Sequence, residues 1–300
     1  MPPRPHILVV NGRKVREPVF AIGAPHSGAD LLGRALKRSR GFHITIGQES
    51  VQKLVYAFAR SPSIQRGRSE AAATVLRDAF AQAWQVTAHC CLTCSSFCRE
   101  AGGVSGPQCC VSERDIVRYG DASPDLMYCA DALVDAFGDA RLVQIVRDGR
   151  DVVAAMLADP LALAWFRPGM VNVEAEFPNP FLGIETEQDL AMWPELTVAG
   201  KCAMRWRGSV RAMARLRTAL SADQLTTLRY EDMVAHPARA ASGLSGFVGD
   251  QVDPVAVRNG RRQGAPGADP GSWRRVLTPA QVAEVDLVAG QDLRRVGYAD

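Results

Sequence analysis

The segment from Pro18 to Leu36 constrains the fold more than any other. A short apolar run, Pro18 to Ile22 (PVFAI), ends in Gly23, and after a small loop a helical spacing begins at Leu31, Leu32, Ala35 and Leu36. This reads as strand, loop, helix, and the same alternation recurs. Arg141 to Val146 (RLVQIV) is a strand, and Asp148-Gly149 turns it into a helix through Val152, Val153 and Met156. Lys201 to Leu220 is an arginine-studded amphipathic helix, followed by a strand from Leu225 to Tyr230 and a helix from Pro237 to Phe247. Ser69 to Gln85 carries apolar residues at helical spacing, and Ser123-Pro124-Asp125 predicts the start of a helix that runs to the stop at Gly138. Thr278-Pro279-Ala280-Gln281 is a capping box that opens a last helix. Strands alternating with helices predict an α/β fold, a mainly parallel sheet flanked by helices on both faces.

The 300 residues suffice for one large domain spanning 1–300, and no internal repeat or boundary divides them. Two segments lack a period: a cysteine-rich insertion at 89–110, and a loop-rich stretch at 160–200 suited to a lid or an acceptor wall. The content of 47% hydrophobic and 22% charged residues is that of an ordinary globule. A formal charge of +3 argues against a general polyanion binder, so no nucleic-acid partner is expected. The basic side is carried by 31 arginines and four lysines, which reflects either genome composition or a need to grip phosphate or sulfate bidentately. No run approaches the roughly 18 apolar residues of a membrane span, and Met1 to Val10 lacks a leader pattern, so no membrane association and a cytoplasmic location are expected. Oligomeric state is not legible.

Between the first strand and its helix lies Gly23-Ala24-Pro25-His26-Ser27-Gly28-Ala29-Asp30. Such a loop presents backbone N–H groups and a helix N-terminus to an oxyanion, a P-loop-type arrangement. In NTP-hydrolysing loops the second glycine is followed by a lysine for the β/γ-phosphates and a Ser/Thr for Mg²⁺. Here those positions are Ala29 and Asp30, which disfavours a metal-dependent kinase. Arg147-Asp148-Gly149-Arg150-Asp151 follows a strand and opens a helix, Leu228-Arg229-Tyr230-Glu231-Asp232 ends another strand, and Trp273-Arg274-Arg275 precedes the last helix.

This ordered set, spread from Val19 to Tyr298, resembles the sulfotransferase family, both its bacterial members and the tyrosyl-protein sulfotransferases. The resemblance implies a sulfotransferase fold and 3'-phosphoadenosine 5'-phosphosulfate (PAPS) as donor. It places Ala24, Pro25, His26, Ser27, Gly28, Ala29 and Asp30 around the 5'-phosphosulfate, Arg147 on the 3'-phosphate and Tyr230 near the adenine. Arg258, Arg261 and Arg262 resemble the mobile basic segment that closes over the nucleotide. Glu49, in Gly47-Gln48-Glu49-Ser50, stands where related enzymes carry a catalytic base, and His26 stands where the family usually has Arg or Lys, its imidazolium able to supply the charge. Each has a plain structural alternative: Arg147 pairing with Asp148 or Asp151, Tyr230 in the core, Glu49 at a helix start, the arginines in a surface loop.

Three positions depart from the family pattern: His26, Ala122 in place of a lysine, and Ala155 in place of a serine. Two functions follow. One is a sulfotransferase moving a sulfuryl group from PAPS to a hydroxyl or amine of a small-molecule acceptor. The other is a non-catalytic descendant that binds a nucleotide or a partner; a P-loop kinase fits less well. Six of the eight cysteines fall between Cys90 and Cys110. Their CxxC and CxxxC spacings suit a structural zinc ion held by Cys91, Cys94, Cys98 and one of Cys109 or Cys110, with free thiols or redox pairs as the alternative.

Overall fold

The computed structural model describes residues 7–66, 69–106, 108–259 and 269–298. A small antiparallel hairpin, β1 (Val9–Val10) and β2 (Arg13–Lys14), precedes the main sheet. The sheet comprises β3 (Val19–Gly23), β4 (Phe42–Thr45), β5 (Arg118–Asp121), β6 (Arg141–Val146) and β7 (Leu225–Arg229). Its order is β4-β5-β3-β6-β7, and every neighbouring pair is parallel. The fold class is therefore the expected one. The central strand β3 is paired with β5 on one side and β6 on the other, so the loops leaving β3 and β6 stand side by side at the carboxyl ends of their strands. That is where open parallel sheets receive ligands.

Alternation along the strands divides the core in two. Phe20, Ile22, Leu142 and Val146 face one layer, built from the helices Ser69–Ala83, Ala130–Ala136, Val198–Ala219 and Pro279–Arg295. Val19, Ala21, Val143 and Ile145 face the other, with the helices Ala29–Arg38, Pro237–Val248 and Pro254–Asn259. Phe20 lies against Phe80, Trp84 and Phe137, with ring centroids 5.2, 6.1 and 5.4 Å away. The Trp84 indole donates to the Gly120 carbonyl at 3.0 Å, so this aromatic group both fills the layer and satisfies a buried acceptor of β5.

Two elements differ from expectation. The helix expected from Ser123 to Gly138 is divided into a 3₁₀ turn, Leu126–Cys129, and a short helix, Ala130–Ala136. Asp125 adopts φ 64° and pairs with the buried Arg205 at 2.5 Å, which holds the chain out of helical register at that point. The stretch 160–200 is not one continuous loop. It carries helices Pro160–Ala164 and Glu187–Met192, and Val198 already begins the long helix to Ala219. Trp165, Phe181, Leu182 and Ile184 are buried, so this stretch contributes to the core. Among the described residues no helix is long and apolar enough to cross a membrane.

Candidate functional site

The loop after β3 folds tightly because its glycines stand where side chains do not fit. A Cβ on Gly23 would lie 2.3 Å from Ser27 Oγ, and one on Gly28, at φ 102°, would lie 2.5 Å from a ring carbon of Tyr230. The Ser27 amide donates to the Ala24 carbonyl at 3.1 Å and closes the turn. Gly28 is the N-cap of the helix Ala29–Arg38 and offers no side chain to its first turn, so the leading N–H groups keep the anion-seeking character of an uncapped helix start. Ala24 and Ser27 are buried, and the Ser27 hydroxyl has no hydrogen-bond partner among the described residues. Pro25 and Ala29 are half-buried. Asp30, which replaces the Ser/Thr of nucleotide hydrolases, is turned aside by an ion pair with Arg34 at 3.2 Å.

Arg147 leaves the end of β6 and meets this loop. Its Nη1 donates to the His26 carbonyl at 3.0 Å, and its guanidinium lies 4.3 Å from the centre of the Tyr230 ring, which also supports Gly28. Asp151 is 4.0 Å from Nη2. Three segments widely separated in sequence are thus brought to one spot. Tyr230 is 4% exposed, the position of a supporting core ring under the loop. The rest of the Arg147–Asp151 segment is braced from other elements. Asp148 caps the helix Gly149–Leu157 and takes two hydrogen bonds from the Arg150 guanidinium, which stacks on Trp273 at 4.3 Å. Gly149 abuts Trp206, with room for no Cβ. Asp151 is fully buried and accepts from Gly271 N (2.7 Å), Ser272 Oγ (3.0 Å) and Trp273 N (2.9 Å).

The His26 side chain points outward at φ 59°, and its Nε2 is 3.1 Å from Asp159 Oδ2. Asp159 caps the helix Pro160–Ala164 through its other oxygen, and the hydrogen bond with His26 holds its carboxyl below the usual carboxylate range. Asp159 escaped the sequence reading; the Asp-Pro pair that starts a helix was its only local signal.

Other candidates lie apart from this cluster or carry different contacts. Glu49 is exposed at the start of the helix Glu49–Arg60 and pairs with Lys53 at 2.6 Å, which lowers its carboxyl. The cap of that helix is Gln48. Ala122 is buried, and a Cβ on Gly33 would meet its methyl at 2.3 Å, so this contact leaves no space for a longer side chain in the same direction. Ala155 is also buried. Arg258 is exposed on the helix Pro254–Asn259, and Arg261 and Arg262 lie outside the described residues. Asp121, the last residue of β5, is wholly buried, and burial pushes its carboxyl up to about 7 although Thr45 and Ser123 donate to it. Of the cysteines, Cys90, Cys91 and Cys109 bring their sulfurs within 4.8 Å of one another; Cys94, Cys98 and Cys110 are outside that triplet.

The aromatic residues of the 160–200 stretch are mainly anchors. Trp165 packs on Tyr56 and Phe181, with centroids 5.0 and 4.5 Å apart. A cavity of about 120 Å³ bordered by Phe58, Met127, Tyr128, Phe181 and Arg215 shares no lining residue with the glycine loop or the Arg147–Asp151 segment.

The sequence profile described as "Sulfotransferase family" matches residues 18–175, more than half of the chain. A search of curated proteins finds no match. Similar solved structures include the sulfotransferase domain from the Synechococcus PCC 7002 olefin synthase, at 16% identity, 91% coverage of this chain, 94% of that one and TM-score 0.47. Mouse sulfotransferase SULT7A1 complexed with PAP gives 15%, 93%, 86% and 0.48. The sulfotransferase from Alicyclobacillus acidocaldarius gives 14%, 94%, 94% and 0.46. With its parallel sheet, its glycine loop and the arginine that meets it, the chain belongs to the sulfotransferase family.

Proposed function

We propose that this protein transfers a sulfuryl group from PAPS to a hydroxyl or amine of a small acceptor. The observation that carries the reading is the meeting of Arg147 with the glycine loop, because a nucleotide with phosphates at both ends of its ribose needs two separate anion-binding groups in one crevice. The buried Ser27 hydroxyl, without a partner among the described residues, and the uncapped helix start fit the 5'-phosphosulfate. Arg147 fits the 3'-phosphate. When bound, PAPS supplies an electrophilic sulfur and a phosphate leaving group.

The chain must then remove a proton from the acceptor and steady charge on the leaving oxygen. His26 stands in the loop itself and is oriented by Asp159, so we assign the proton removal to the neutral His26 imidazole and the steadying of the leaving oxygen to the N–H groups of the uncapped helix start. Glu49 is the second candidate for the base, ionised but facing solvent beside Lys53. Ala122 and Ala155 support the second reading, a descendant that binds the nucleotide without turnover.

Calorimetry with 3',5'-adenosine bisphosphate in a metal-free buffer tests the donor assignment. Binding is expected, and Arg147→Ala should weaken it by roughly 10- to 100-fold, the loss of a charge-assisted contact of about 1.5–3 kcal/mol. Binding of ATP with Mg²⁺ and none of the bisphosphate would sink the sulfotransferase reading in favour of a kinase. His26→Ala should then abolish turnover of PAPS while leaving bisphosphate binding within a few-fold, whereas Glu49→Ala should retain activity; the reverse pattern moves the base to Glu49.

A further inference from the structure

The insertion between Thr87 and Ser112 has little to hold it together. Among its described residues only Cys91, Cys98 and Ala101 are buried, and its regular structure is one 3₁₀ turn, Cys90–Leu92, and one short helix, Ser96–Ala101. A segment with so small a core needs a cross-link or a metal. None of its cysteines is in a disulfide. Yet the Cys90 and Cys91 sulfurs are 4.0 Å apart, and Cys109 joins them within 4.8 Å although it lies on the far limb of the insertion. Cys110 lies outside that triplet but follows Cys109 directly in the chain, at the end of the same limb.

We propose that Cys90, Cys91, Cys109 and Cys110 form a four-thiolate site for one zinc ion, which clamps the two limbs of the insertion. A tetrahedral zinc–thiolate centre has Zn–S bonds of about 2.3 Å, which separates its sulfurs by roughly 3.8 Å. The sulfurs of Cys90, Cys91 and Cys109 need only a small contraction, and Cys110 completes the set by turning in beside Cys109. The surroundings match the needs of coordinated thiolates. Four thiolates and one zinc ion leave a net negative charge, and Lys37, whose side chain borders Gly102 together with that of Cys110, stands near enough to offset it. An all-sulfur donor set selects zinc over hard cations.

This ligand set differs from the one expected from spacing. Cys94 and Cys98 have other contacts. Cys94 is directed at the Cys90 carbonyl (3.7 Å) and Cys98 at the Ile44 carbonyl of β4 (4.0 Å). The CxxC and CxxxC spacings are met by a turn and a short helix that carry Cys94 and Cys98 toward the sheet.

The clamp has a consequence for the rest of the molecule. Lys37 and Arg38 end the helix that begins at the glycine loop, and Arg38 Nε donates to the Ala101 carbonyl of the insertion at 3.1 Å. Ser95 binds the Ile46 carbonyl just beyond β4. The metal-braced insertion therefore buttresses the far end of the loop-bearing helix.

The test uses the full chain purified from zinc-supplemented cells under reducing conditions. Native mass spectrometry and metal analysis should give one zinc per chain. The double variant Cys94→Ser/Cys98→Ser should keep it, and Cys109→Ser should lose it. In case the latter does not fold, cobalt(II) exchanged into the wild-type chain should give tetrahedral ligand-field bands and thiolate charge-transfer intensity for four sulfurs. Zinc-free wild-type protein with every thiol titratable, loss of the metal in the Cys94/Cys98 double variant, or a cobalt spectrum of fewer than four thiolates would each overturn the assignment. None of these outcomes bears on the donor-binding test above, so the two readings fail separately.

Discussion

Asp151 and Asp121 are both wholly buried acids, and they do opposite things. Asp151 accepts three hydrogen bonds from Gly271, Ser272 and Trp273, and with Arg147 4.0 Å away it ties the last third of the chain to the segment that meets the glycine loop. Asp151→Ala strands those donors and should cost about 3 kcal/mol of stability in a urea melt. Asp121 lies in a setting that disfavours its charge, and burial raises its carboxyl to about 7. Between about pH 4 and pH 7 the native protein holds a proton that the unfolded chain has released. Stability contributed by this group is therefore full below pH 4, falls as pH rises through that window, and is gone above pH 7. Asp121→Asn should remove this component, and the difference between the two pH–stability curves measures it. At the loop, Gly28→Ala forces a side chain into φ 102° and into the Tyr230 ring, for about 1–3 kcal/mol and loss of bisphosphate binding.

At the scale of elements, the stretch that precedes the long helix is held by close backbone approach rather than by length or polarity. A Cβ on Gly183 would lie 1.8 Å from the Met204 carbonyl oxygen, and one on Gly208 would lie 2.5 Å from the Pro180 carbonyl oxygen. Gly208→Ala should lift residues 180–184 from the helix Val198–Ala219, lowering stability by about 1–3 kcal/mol and exposing this stretch to limited proteolysis. The pattern of prolines and aromatics suggested a loop because periodicity registers neither paired glycines nor isolated buried anchors. Strands β3, β6 and β7 were legible as apolar or β-branched runs. β4 (FHIT) and β5 (RYGD) were not, because each has four residues and each carries polar groups. Thr45 and Asp121, at their carboxyl ends, satisfy each other by a cross-strand hydrogen bond that no single-strand pattern reveals.

For the whole molecule, the glycine loop and Arg147 meet because β3 lies between β5 and β6. Ligand binding at that junction should stabilise the complete fold. Adding 3',5'-adenosine bisphosphate at 100 times its Kd should raise the unfolding free energy by about 2.7 kcal/mol, seen as a higher Tm without added metal. ATP with Mg²⁺ at equal concentration should have a smaller effect.

The amino-acid sequence by itself determined which residues stand after each strand, since glycine placement, β-branched runs and caps act over a few neighbouring positions. It therefore specified the loop from Gly23 to Asp30 and the arginine at 147 as separate units. Only the tertiary structure decided that these units meet across 121 positions of chain, that Asp159 faces His26, and that Cys90 and Cys109 share one corner of the insertion. Those contacts depend on strand order and helix packing, which are set by burial summed over the whole core and leave no local periodic trace.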